Sequence, residues 1–198
     1  MTEAIDGIKI ILLGESGVGK TNLINVFLGF GFDDFSKSTL SSNAFHGDFN
    51  YKSKKYKYYL WDTAGQEICR AINKIFVRDA KIILLVYSIN NRHSFEEINF
   101  WINFVKEIKE DDKYIIALVA NKSDLIENQT VLDEEGNELA EKNKFEFLIT
   151  SALKDAEGFR KFVFKLLAQY IEMSGGMTKT KTIKLKKKKG KKEKKQCC

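Results

Sequence analysis

The chain has 198 residues, of which 43% are apolar, 12% aromatic and 30% charged; this is enough apolar material for one folded domain, and it excludes a disordered or collagen-like polymer. The formal charge of +6 is unevenly placed: residues 173–198 hold eleven lysines against Glu193, a net +10, which leaves −4 on residues 1–172. The basicity therefore belongs to a tail, and so like-charged a segment, nearly free of apolar residues, is expected to form a flexible arm outside the fold.

The N-terminus, Met1-Thr2-Glu3-Ala4-Ile5-Asp6, carries acids where a secretory signal needs bases, and Thr2 stands where myristoylation needs glycine. The longest apolar runs, Ile82–Tyr87 and Tyr114–Ala120, fall far short of the ~20 residues of a membrane-crossing helix, so a chain that stays in the cytosol is expected. Proline is absent, and the three cysteines, Cys69, Cys197 and Cys198, build neither a disulfide framework nor a zinc site.

From residue 8 onward, apolar runs alternate with amphipathic stretches, which predicts a βα-repeating fold around a mostly parallel sheet. A first strand over Lys9–Leu13 leads into a helix over Lys20–Leu28. Strands over Ala44–Tyr51 and Tyr56–Trp61 are joined by only Lys52-Ser53-Lys54-Lys55, too short for a crossover, so they are expected to pair antiparallel. A helix over Ala71–Val77 then precedes a strand at Ile82–Tyr87, and a helix over Ser94–Glu110 precedes one at Ile115–Asn121. Helices over Asp133–Lys142 and Glu157–Glu172 flank a last strand, Phe145–Ile149.

The first strand runs into Gly14-Glu15-Ser16-Gly17-Val18-Gly19-Lys20-Thr21, the pattern GxxxxGK[ST], whose last two residues open the first helix. Glycines at these positions let backbone N–H groups converge on an anion at a helix N-terminus, where the helix dipole also favours negative charge. Lys20 has the reach for β- and γ-phosphates, and the Thr21 hydroxyl suits magnesium. By itself this loop leaves ATP and GTP open.

Two later strand exits narrow the choice. The third strand ends in Asp62-Thr63-Ala64-Gly65-Gln66-Glu67, where Asp62 is placed to hold magnesium, Gly65 to offer an N–H to a γ-phosphate and Gln66 to orient an attacking water. The fifth ends in Asn121-Lys122-Ser123-Asp124. A carboxylate such as Asp124 accepts from guanine N1–H and its 2-amino group, whereas adenine presents an acceptor at N1 and lacks the amine, so the expected base is guanine. Ser151-Ala152-Leu153, beyond the last strand, is positioned to supply an N–H to the guanine carbonyl. His46 and His93 match no catalytic position and are expected at the surface.

In their order and spacing, Gly14–Thr21, Trp61–Glu67, Asn121–Asp124 and Ser151–Ala152 resemble the Ras superfamily of small GTPases, and within it the Rab family. Further Rab-like features are Ser16 in the glycine loop, Val77-Arg78-Asp79-Ala80, and the terminal Cys197-Cys198. The resemblance implies a P-loop NTPase G domain over 1–172: a six-stranded sheet, one strand antiparallel, with helices on both faces. It implies GTP/GDP and Mg2+ as ligands, and slow GTP hydrolysis in which Gln66 and Lys20 are catalytic. The glycine-loop residues Gly14, Ser16, Gly17, Val18, Gly19, Lys20, Thr21 and Asn22 would hold nucleotide. So would Phe32, on the base, and Gly65, with Asn121, Lys122, Asp124, Ser151, Ala152 and Leu153. Thr39 would join Thr21 and Asp62 at the metal.

The resemblance also implies geranylgeranylation of Cys197 and Cys198. Two lipids plus a basic patch meet the requirement for stable anchoring on the cytoplasmic face of an endomembrane, with cycling through the cytosol. Effectors, an exchange factor, a GTPase-activating protein, a GDP-dissociation inhibitor and the prenylation machinery would be partners in vesicle transport; a monomer is expected, and no nucleic acid. The chain departs from the Rab pattern in Leu40-Ser41-Ser42-Asn43-Ala44-Phe45, where Ile-Gly-Val-Asp-Phe is usual, and in Ile68-Cys69, where Arg-Phe is usual. These positions read partners, so partner identities do not carry over.

Overall fold

Six-residue strand β1 (Ile8–Leu13) is apolar on both faces, as befits a strand covered by helices on both sides. Its alternate residues enter two separate cores, Ile10 and Leu12 on one face, Ile11 and Leu13 on the other. A computed structural model describes residues 7–34, 43–62, 70–109 and 113–175. Around β1 it builds a six-stranded sheet in the order β2-β3-β1-β4-β5-β6, from β2 (Asn43–Tyr51), β3 (Lys54–Asp62), β4 (Ile82–Ser88), β5 (Ile115–Asn121) and β6 (Glu146–Ile149). Only β2 runs antiparallel, against β3; every other pairing is parallel.

Helices α1 (Lys20–Leu28) and α6 (Ala156–Met173) cover one face, with Leu23, Ile24, Phe159, Leu166 and Leu167 fully buried against β1, β3 and β4. The other face is covered by α2 (Arg70–Asp79), α4 (Ile98–Ile108) and α5 (Asp133–Asn143) through Val77, Ile98, Val105 and Ala140. Among the described residues, no helix is long and apolar enough to cross a membrane. Because β1, β3, β4, β5 and β6 are parallel, the segments that follow them emerge at one rim, where open α/β sheets take their ligands.

The structure departs from the sequence expectations in three places. The helix expected over Ser94–Glu110 is two: α3 (Arg92–Glu96) and α4, separated at Glu97. Asn91 starts α3 early by accepting the Ser94 N–H, while the buried Ser94 hydroxyl donates to the Asn91 carbonyl at 2.7 Å and accepts the Ser88 N–H at 3.1 Å. The hairpin turn is two residues rather than four: Lys52 (φ 46°) and Ser53 (φ 61°) are both left-handed, the combination whose twist matches paired strands. A 3₁₀ turn over Ser123–Asn128 occupies a stretch where no element was expected. His46 and His93 are exposed, as the sequence suggested.

Candidate functional site

The glycine loop is shaped by two close approaches. Gly14 has φ +144°, and a Cβ there would lie 2.0 Å from the Val86 carbonyl oxygen on β4; Gly19, the residue before α1, has φ +95°, and its Cβ would lie 2.4 Å from Asn121 Nδ2. Any larger residue would push the loop off the sheet at the first point and off the β5 exit at the second. Between them Ser16 and Gly17 are exposed, and Val18 sends its side chain into the core. Helix α1 opens with no acid in its first turn and no capping side-chain bond among the described residues, so its N–H groups face the loop with their positive end of the dipole.

Lys20 is 6% exposed and donates from Nζ to the Gly14 and Glu15 carbonyls, 2.8 Å to each. Burial pushes its pKa down to about 8, against the upward pull of Asp62 and Glu15. The next side chain, Thr21, donates from its hydroxyl to Asp62 Oδ2 at 2.9 Å. Asp62 is the last residue of β3, and the parallel pairing of β3 with β1 puts it beside the glycine loop although 41 residues separate it from Thr21. A hydroxyl and a carboxylate, both hard oxygen donors, fit a magnesium ion here.

Asn121, 1% exposed at the end of β5, links three loops. Its Nδ2 donates to the Val18 carbonyl at 2.8 Å, and its Oδ1 accepts the Ala152 N–H at 3.2 Å. The sequence assigned Asn121 to the nucleotide; the structure adds that its amide holds the glycine loop to the segment after β6, which the motif alone did not reveal. Lys122 adopts a left-handed conformation, φ 66°, that turns the chain into the 3₁₀ segment; burial lowers its pKa, and its aliphatic chain comes close to Gly19. Asp124 accepts a short hydrogen bond from the hydroxyl of Ser151, which is 1% exposed and itself accepts the Leu153 and Lys154 N–H groups at 3.2 and 3.1 Å. A guanine carbonyl arriving at the Ala152 N–H would share that donor with Asn121.

Asn22 and Asp33 exchange two hydrogen bonds of 3.0 Å, Asn22 Nδ2 to the Asp33 carbonyl and the Asp33 N–H to Asn22 Oδ1, so the segment bearing Phe32 is tied to α1. Phe32 itself is 38% exposed. Thr39, Gly65, Gln66, Cys197 and Cys198 lie outside the described residues.

A strand, a glycine loop and a helix carrying a buried lysine, with a hydroxyl–carboxylate pair beside them, define the P-loop class of nucleotide-binding α/β proteins. The Ras family model matches residues 9–173. Among similar proteins, Ras-related protein RABA2b of Arabidopsis thaliana is 41% identical over 146 residues, which cover 74% of this chain and 68% of the relative. Ras-related protein RGP2 of Oryza sativa subsp. japonica is 40% identical over 146 residues, 74% and 67% of the two chains. GTP-binding protein ypt3 of Schizosaccharomyces pombe is 40% identical over 147 residues, 73% and 67%. The chain belongs to the Ras family and is a Rab-like small GTPase, which binds GTP and GDP and hydrolyses GTP.

Proposed function

We propose that the chain acts as a membrane-anchored switch in vesicle-mediated transport, with 1–172 as its G domain and 173–198 as its anchoring tail. The observation that carries this reading is the convergence of Gly14–Thr21, Asp62 and Asn121–Asp124 at one rim, joined by the Asn121 amide. In this reading the loop from Gly14 to Asn22 cradles the phosphates, and Lys20 exchanges its two carbonyls for β- and γ-phosphate oxygens. Thr21, Asp62 and Thr39 hold Mg2+, which when bound neutralises charge on those oxygens. Asp124 reads the guanine edge, Ala152 its carbonyl, and Asn121, Lys122, Ser151 and Leu153 hold those two in place; Phe32 covers the base.

Gln66 orients the attacking water, and Thr39 and Gly65 order the loops around 33–46 and 64–80 while the γ-phosphate is present; hydrolysis releases them. Turnover is slow until an activating protein brings further positive charge. Gln66→Leu tests this directly. Single-turnover GTP hydrolysis is expected to fall about tenfold or more, with GDP and GTP still retained. Equal rates would show that Gln66 positions no water, and would favour a GTP-binding scaffold over a switch.

The anchoring part of the proposal rests on the eleven lysines that precede Cys197-Cys198. Lysines close to an anionic leaflet each contribute about 1 kcal/mol, reversibly, and geranylgeranyl groups on both sulfurs make attachment stable. Exchange factors, effectors, a GDP-dissociation inhibitor and the prenylation machinery follow as partner classes. Cys197→Ser combined with Cys198→Ser is expected to move the protein entirely into the soluble fraction of cells; membrane association that persists would defeat lipid anchoring.

A further inference from the structure

The end of the sheet opposite the nucleotide rim carries an arrangement of lysines that the switch chemistry does not use. Helix α6 finishes there at Met173, so residue 174 onward departs from this end. The last turn of α6 is bound to the β2–β3 hairpin: Glu172 Oε1 accepts from the Tyr51 hydroxyl at 2.5 Å and from Lys52 Nζ at 2.7 Å. The hairpin presents Lys52, Lys54, Lys55 and Lys57, all exposed. On the other side, Met173 lines a groove with Lys106, from the last turn of α4, and Lys144, the residue after α5, both exposed, and with Glu146, which is ion-paired to Lys165. The root of the tail thus lies between two groups of lysines on the folded domain.

Two bland explanations cover part of this. Cations are favoured at helix C-termini by the helix dipole, which accounts for Lys106 and Lys144. Lysines also protect sheet edges from pairing with other chains. The end of α6 extends the first explanation to Lys52, which bonds Glu172, but neither accounts for Lys54, Lys55 and Lys57. No helix ends at 52–57, and the edge strand is β2, whose exposed residues are Asn43, Ala44, His46, Asp48 and Asn50; the lysines lie in the turn and on the interior strand β3. Lys52 and Lys55 are ion-paired with Glu172 and Asp48, yet their side chains stay 70% and 64% exposed, open to a second anion.

Acids lie at both ends: Glu107, Glu141 and Glu146 share the lysine end, yet around the hairpin Lys52, Lys54, Lys55 and Lys57 face only Asp48 and Glu172, so the local charge stays positive, and a second group of acids lies at the far rim. Helix α5 opens with Asp133, Glu134 and Glu135, and α6 is capped by Asp155 with Glu157 in its first turn. A seven-residue strand is roughly 23 Å long, whereas charges are screened over about 8 Å at physiological ionic strength. A surface in contact with the lysine end therefore does not feel those acids.

We propose that this end of the domain, centred on Lys54, Lys55 and Lys57 beside the root of the tail, is a docking face for an anionic lipid bilayer that holds the nucleotide rim pointing away from the membrane. The proposal rests on the membrane reading of the tail, and adds that the folded body takes part.

The test uses the full-length chain without lipid, sedimented with vesicles of phosphatidylcholine and phosphatidylserine, and with pure phosphatidylcholine as the neutral control. A Lys54→Gln, Lys55→Gln, Lys57→Gln variant is expected to partition roughly tenfold or more weakly onto the anionic vesicles. Adding Glu127→Gln, Glu134→Gln and Glu157→Gln restores the net charge from the far rim and is expected not to restore binding; recovery would mean that total charge alone matters and would overturn the proposal. Retained GDP reports that each variant is folded. If a variant fails that check, hydrogen exchange on the unaltered protein decides: amides of 51–57 are expected to slow with anionic vesicles, and no slowing would overturn the proposal. Slowing by duplex DNA but not by vesicles would also overturn it, reassigning the face to nucleic acid. If the unaltered chain ignores anionic vesicles, the reading of the tail fails as well; binding that is equal in the unaltered chain and the triple-glutamine variant sinks only the docking face.

Discussion

Asp124→Asn is expected to exchange guanosine for xanthosine nucleotides as the preferred ligand. A carboxylate at this position accepts from two donors on the guanine edge, N1–H and the 2-amino group. An asparagine amide turns one acceptor into a donor, which faces the 2-amino group of guanine but suits the 2-carbonyl of xanthine. In a closed site an unpaired polar group discriminates by orders of magnitude, so GDP affinity should fall about 10³-fold or more, with xanthosine diphosphate gaining correspondingly. The loop itself should survive, since the new carboxamide oxygen still accepts from the buried Ser151 hydroxyl. Equilibrium titration of both nucleotides in Mg2+ is the measurement, and an unchanged preference would remove Asp124 from the base site.

The second large effect comes from Lys20. Burial against two carbonyls lowers its pKa from 10.5 to about 8 in the folded, nucleotide-free protein. The unfolded chain then binds more protons than the folded one between about 8 and 10.5, so stability should rise with pH across that window. Below it, the cost of holding the ammonium buried is present in full, roughly 3 kcal/mol. Bound phosphates reverse the sign, because they supply the charge partner: nucleotide affinity should fall as pH rises above about 8 and the ammonium is lost. Lys20→Met should raise the nucleotide-free protein's stability at neutral pH and flatten its rise with pH, while weakening GDP about 100-fold or more. Lys9 and Lys122 are also held low by burial, so the difference between the two proteins is the quantity to read. Identical denaturation curves against pH in both proteins would refute the assignment.

One aromatic cluster was legible only in part. Trp61 was read from the chain as a family-like residue before Asp62. In the fold it packs on Phe76 with ring centroids 4.8 Å apart, and Lys9 Nζ lies 5.1 Å from each ring. These residues come from β3, α2 and β1, and no spacing along the chain brings them together. Trp61 pairs across the sheet with Ala44 of β2, a described residue in one of the stretches where the sequence leaves the Rab pattern.

The glycine loop was readable because its geometry is local. The six residues Gly14–Gly19 between a buried strand and a helix have few arrangements open to them, and glycine at 14 and 19 follows from backbone conformation and close contact. The alternation of apolar runs with amphipathic stretches likewise determined the layered sheet, since each run has to bury its apolar face. The early start at Arg92 escaped that reading, because it is set by a capping bond from Asn91 and a buried serine hydroxyl rather than by the helical period.

What the linear order could not settle was which loops meet and what holds them. The Thr21–Asp62 bond spans 41 residues, Asp124–Ser151 spans 27 and Val18–Asn121 spans 103. Each depends on strand order and register, which bring the exits of β1, β3 and β5 and the loop after β6 to one rim. The lysine end is decided in the same way: composition counts the charges, but only the packing of α6 against the hairpin sets them beside the root of the tail, because a charge acts within a screening length in space, however far away it lies along the chain.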